Sequence, residues 1–261
     1  MHPRPVQLAI LSGLIIFGGF AAPASAQAPD KIRAELLMVD RPLVQSETEQ
    51  IRQYVERWAG QLTAGQSPQS IAIARSKLLE PPTNRLTTDY FREGYSAAAA
   101  TALAPGLDQD NAIVRFNSLI VAGEIGSRYM VDLFIDGFGD ANAAVRYWAA
   151  RAVAMAMEPT AEGGADLNAE DQGRVLDAVT GAMEDEQSPL VIEQMYRALS
   201  RLTIPAARTA VLDKLDQRLS THRARLTNGL RADLEGLRGL QTQLIVLGAR
   251  GEDVIAPMKR L

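Results

Sequence analysis

Two stretches decide the fold: DNAIVRFNSL at residues 110–119 and DANAAVRYWA at residues 140–149. Aligned on Val114-Arg115-Phe116 and Val145-Arg146-Tyr147, they are one segment written twice, 31 residues apart. Each opens on a polar, turn-forming stretch and runs into small and aliphatic residues at helical spacing. A second short helical pattern precedes each copy, at 97–103 and at 129–138. Weaker copies start at Ser188-Pro189-Leu190-Val191, behind 175–183, and at Ser67-Pro68-Gln69-Ser70. Paired helices repeated along a chain cover their apolar faces only against neighbouring pairs, so the copies predict a stack.

The flanking sequence agrees. Good helix formers dominate, and no convincing strand alternation occurs. Ser46-Glu47-Thr48-Glu49 reads as a capping box ahead of the stripe Ile51, Val55, Trp58 and Leu62, in a helix ending near Thr63. Pro205 suits the first position of a helix with Val211, Leu215, Leu219, His222 and Leu226 on one face. Asn228 is placed to cap a last helix whose Leu230, Leu234, Leu237, Leu244 and Leu247 face inward. Breakers separate these runs at 65–68, 81–84, 105–106 and 162–164. The expected architecture is all-α: an α-solenoid of helical hairpins over 65–261, after a helical N-terminal segment at 27–64.

The repeat resembles the HEAT family in its short form, related to the phycobilisome-lyase HEAT-like repeats. The match is best in Asp140-x5-Arg146-x2-Ala149-Ala150. It covers roughly 66–247, fading at both ends. The resemblance implies a ladder in which an Asp in each turn and an Arg near the start of each second helix link neighbouring repeats. Asp140 and Arg146 fit it. Asp110 and Arg115 fit with one residue fewer between them. Ile192 stands where the next Arg belongs, so the ladder is expected to stop there. HEAT arrays are mostly scaffolds, and the family also contains lyase subunits.

Composition narrows the function. The 261 residues include no Cys, which excludes a disulfide scaffold, a Cys-based zinc site and a thiol nucleophile. The net charge of −4 argues against nucleic-acid binding. Residues 1–26 have an apolar run from Leu8 to Ala22 and end in Ala24-Ser25-Ala26, the pattern of a signal peptide cleaved after Ala26. The run is short for a membrane span and is interrupted by Gly13, Gly18 and Gly19. The expectation is a periplasmic or secreted protein with no integral membrane segment after cleavage.

Candidate sites follow from helix geometry. At 100° per residue, Phe116 stands about 200° from Val114, and Tyr147 likewise from Val145. Phe116, Ile120, Tyr147 and Arg151 therefore form a strip on successive second helices. The strip is either a partner-binding patch or packing against neighbouring helices. With Arg115 and Arg146 beside Arg151 it reads as locally basic, favouring a protein partner with an acidic or mixed surface. Trp148, about 60° from Val145, reads as core or core edge, and Trp58 as core. His222 is the sole His beyond His2 and reads as a packing residue, leaving no catalytic triad or His-rich metal site. In the acidic stretch 158–186, Asp166-x-Asn168-x-Glu170 lacks the glycine and the final Glu of a calcium loop; Asn168 capping a helix explains it more simply. The stretch 208–238 is basic and reads as the solvated back of two helices or as a face for an anionic partner.

No cofactor is expected. The leading expectation is an exported scaffold or protein-binding module of the cell envelope, with no catalysis of its own. The alternatives are a lyase-like or hydrolase subunit using carboxylates and Arg, and a structural accessory domain without a ligand.

Overall fold

A helix with one apolar stripe must have that stripe covered, and here each helix covers its neighbour's. The computed structural model describes residues 29–158, 167–223 and 230–246, and they are all-helical, with no strand among them. A single turn, α1 (Ala34–Leu37), precedes α2 (Gln45–Ala64) and α3 (Pro68–Leu79). Then come α4 (Asp89–Leu103), α5 (Ala112–Ile125), α6 (Val131–Phe138) and α7 (Ala143–Ala156). The described chain ends with α8 (Ala169–Asp185), α9 (Pro189–Arg201), α10 (Pro205–Arg223) and α11 (Leu230–Val246).

The helices pair in chain order as hairpins: α2–α3, α4–α5, α6–α7, α8–α9 and α10–α11. The second helices make one continuous layer, α3 on α5, α5 on α7, α7 on α9 and α9 on α11. First helices stack behind them, α2 on α4 and α6 on α8. The expected boundary after residue 64 falls inside the first hairpin, because α2 packs on both α3 and α4. No described helix is long and apolar enough to cross a membrane.

Local sequence sets the helix starts. Asn111 Oδ1 accepts the Ile113 N–H at 2.9 Å, and 31 residues later Asn142 Oδ1 accepts the Ala144 N–H at 2.9 Å. Asn168 caps α8 through the Asp171 N–H, with Glu170 and Asp171 in the favourable first turn. Pro189 and Pro205 open α9 and α10. The capping box expected at Ser46 lies two residues earlier: Val44 precedes the helix, and the Glu47 carboxylate accepts the Val44 N–H at 2.9 Å while pairing with Arg41. Glu47 wins because Arg41 fixes it beside that orphan donor. At the other end of the first hairpin, Tyr54 and Tyr95 donate their hydroxyls to the Lys77 and Leu78 carbonyls, both at 2.6 Å. These are open carbonyls of the last turn of α3, so two buried phenols close a helix end.

Ile51, Val55, Trp58 and Leu62 are buried as their stripe predicts, as are Val211 and Leu215. The last helix follows expectation at Leu237, which packs on the core, and departs from it at Leu234. Leu234 is 53% exposed, and α11 buries Ala232 and Leu240 instead. Large residues do not set this face, because Gly236 and Gly239 lie hard against Tyr196 and Ser200 of α9. Small residues let the two backbones approach, which turns Leu234 outward. Asn228, Leu226 and Leu247 lie outside the described residues, as do residues 1–26 and 159–166; the side chains of Leu219, His222, Leu230 and Leu244 are likewise outside what is described.

Candidate functional site

The ladder arginines orient the layer of second helices. Arg115, in the first turn of α5, donates Nη1–H to the carbonyls of Gln109 and Asp110 at 2.7 and 2.9 Å. Its Nε and Nη2 donate to the two carboxylate oxygens of Asp140 at 2.6 and 3.1 Å. Arg146 repeats the arrangement 31 residues on: Nη1 meets the carbonyls of Asp140 and Ala141, and Nε and Nη2 grip Glu186 at 2.6 and 3.0 Å. Each acceptor is fixed from behind. Asp140 accepts the Asn142 N–H at 2.7 Å, and Glu186 accepts the Ser188 N–H at 2.8 Å. Glu186 thus takes in the fourth hairpin the part that Asp140 takes in the third. Ile192, where α9 would need its arginine, is buried among apolar side chains.

One expectation is corrected here, and one ladder residue was not foreseen. Asp110 contributes its main-chain carbonyl to the ladder, while its side chain is exposed. Arg115 takes its carboxylate from the next turn, as Arg146 does, because each arginine spends Nη1 on the carbonyls of its own turn and turns Nε and Nη2 toward the following one. Glu186 was missed because it lies 40 residues from Arg146 in an acidic run where no single acid stands out.

With Arg115 and Arg146 consumed by the ladder, the face beyond them is defined by aromatic rings. Phe116, Tyr147 and Trp148 are half-buried against the core. The Phe116 and Trp148 rings stack at 6.4 Å with 21° between planes, and Tyr147 meets Trp148 edge-on at 5.8 Å. The Arg151 guanidinium lies 5.0 Å from the Trp148 ring centre. Trp148, read as core or core edge, is the centre of this ledge. Ile120 is not part of it: at 8% exposure it is buried. The strip is also less basic than its sequence, since Asp140 and Glu186 neutralise two of its three arginines.

The ledge continues into a cleft of about 440 Å³ where α7, α9 and α11 meet. Arg151 belongs to both. The cleft is lined by Arg151, Arg197, Arg201 and Arg238 against Glu158 and Glu235, with Gln194 from α9. Arg197 bridges Glu193 at 2.7 Å and Glu235 at 3.0 Å, Arg201 pairs with Glu158, and Arg238 with Glu235. Burial works against the charge on Arg197, but Glu235 and Glu193 outweigh it and hold its pKa above the usual value. Arg151 has no carboxylate partner among the described residues. The cleft has no local signature, because its lining comes from three helices far apart in the chain.

The basic stretch 208–238 is not a single face. Lys214 reaches Glu184 of α8, Arg218 pairs with Asp233, and Arg231 and Arg238 reach glutamates beside the cleft. Among the described residues no group of three or more His, Asp or Glu could hold a metal ion.

No protein-family model matches this chain, and no curated protein matches it. A solved structure is similar, the crystal structure of an engineered protein from the Northeast Structural Genomics Consortium. It is 21% identical, with 80% of this chain and 96% of that chain covered, at a TM-score of 0.42.

Proposed function

We propose that this protein is a HEAT-like scaffold that binds a protein partner on the layer of its second helices and catalyses nothing itself. The observation that carries this reading is the ledge. Aromatic rings from two successive hairpins stand half-exposed against one another, with an arginine over the central Trp148. Aromatic residues and arginine dominate interface energetics when a partner covers them. The lyase-like or hydrolase alternative would draw on Glu158 or Glu235, and both are already engaged by arginines.

The test is affinity capture with the full chain and with a Phe116→Ala/Tyr147→Ala variant. The variant should keep its helical circular dichroism and lose the partner that the wild type retains. A variant that folds and still captures the same partner at full yield would move the interface off the ledge.

The reading includes export, resting on the apolar run and Ala24-Ser25-Ala26. Protein isolated from its native host should begin at Gln27 by intact mass. Retention of residues 1–26 would refute cleavage and with it the periplasmic or secreted placement.

A further inference from the structure

Gln194 is the sixth residue of α9, is 4% exposed, and lines the cleft. Its carboxamide has no hydrogen-bond partner among the described residues. The repeat shows how such an amide is satisfied elsewhere. Asn117, the sixth residue of α5 and equally buried, accepts an N–H from Arg75 at 2.8 Å and donates to the Ile113 carbonyl at 2.7 Å. Arg75 is the eighth residue of α3, the preceding second helix. The eighth residue of α7 is Ala150, which offers nothing to Gln194. The Gln194 amide atoms are reached from the cleft, so they are open to a ligand that enters it.

The surroundings say what that something is. Four arginines against two glutamates line the cleft, so its excess charge is positive. That excess is concentrated at Arg151, since Arg197, Arg201 and Arg238 are held by glutamates within the chain. A carboxamide presents a donor and an acceptor side by side, the complement of a peptide group. Arg151 joins the cleft to the Trp148 ring of α7, which stacks on Phe116 of α5, and this suits an elongated ligand with an apolar side chain rather than a small anion.

We infer that the cleft takes an extended acidic peptide segment of the partner: its main chain pairs with Gln194, a carboxylate meets Arg151, and an apolar side chain lies on Trp148. This rests on the scaffold reading above and names the chemistry of the segment it receives.

The test is titration calorimetry of the full chain with a blocked peptide of alternating glutamate and phenylalanine. Controls are the same peptide with lysine for glutamate, inorganic phosphate, and vesicles of phosphatidylglycerol. The acidic peptide should bind and the controls should not. Arg151→Ala should weaken binding by about tenfold and Gln194→Ala by about fivefold. Gln194→Met, which keeps the buried methylenes, should leave the thermal midpoint unchanged or raise it, because it removes an open amide and breaks no bond. A marked fall in that midpoint would mean that Gln194 is a structural residue and would overturn the inference. So would equal binding of the lysine peptide, of phosphate or of the vesicles, or no binding of the acidic peptide. Capture separates this from the broader reading. If the ledge variant loses the native partner while Arg151→Ala and Gln194→Ala retain it, the scaffold stands and the acidic-segment inference falls. If all three lose it, both stand.

Discussion

Arg146 and Glu186 are 40 residues apart and joined by two hydrogen bonds, with the carboxylate 1% exposed and the guanidinium 21% exposed. The pair connects the turn before α7 to the turn before α9, so it holds two hairpins in register. Burial disfavours the Glu186 anion, but the Arg146 hydrogen bond and the Ser188 and Gln187 N–H groups outweigh it and keep the carboxyl below its usual range.

Removing the arginine leaves that carboxylate buried and uncompensated. Arg146→Ala should destabilise by about 2–4 kcal/mol in urea melts. Arg174→Ala, which breaks an exposed pair with Asp132, should cost less than about 0.5 kcal/mol. Equal midpoints for the two variants would mean that the ladder carries no stability.

The same pair sets an acid response. A carboxyl whose folded pKa is lowered adds stability that is fully present above its unfolded value, about 4.3. That stability is lost as pH falls through the folded value. Between neutral pH and pH 3 the wild type should therefore lose more stability than Glu186→Gln, which has no proton to take up. Parallel pH profiles would show that the native state does not hold this carboxyl below its ordinary range.

Two glycine substitutions should act with opposite sign. A Cβ on Gly123 of α5 would sit 2.7 Å from the Ala152 Cα and 2.8 Å from its Cβ, so the two helix backbones would have to separate. Gly123→Ala should destabilise by about 1–3 kcal/mol. Gly173 lies within α8 with nothing near its would-be Cβ. Gly173→Ala should stabilise by about 0.5–1 kcal/mol through helix propensity. Thermal melts of the two variants would move in the same direction if α5 and α7 were not in close contact.

The two tryptophans should differ toward a quencher. Trp58 is buried in α2, whereas Trp148 is half-exposed on the ledge. In Trp148→Phe, iodide should quench the single emission left much less than in Trp58→Phe. The reverse order would place the ledge inside the core.

The helices, the Asn168 cap and the period of the stack were legible in the chain, because each is a local property. Asn168 caps by a contact three residues away, and the spacing of Val114 and Val145 records the repeat directly, whereas the box read at Ser46 formed two residues earlier because Arg41 holds Glu47 there. The ladder was half legible. Its arginines stand out at matching positions, but their carboxylates come from the next turn, and only folding selects Asp140 and Glu186 from many acids. Phe116, Tyr147 and Arg151 could be placed on one side by angle alone, whereas Ile120, on the same side by that count, is buried. Leu234 shows the same limit: periodicity assigns apolar residues to the interior, but the facing glycines of α11 decided which side approached α9. The cleft and the open amide of Gln194 belong entirely to the tertiary structure. An amide is unsatisfied only relative to what surrounds it, and its surroundings come from three helices whose approach the sequence does not record.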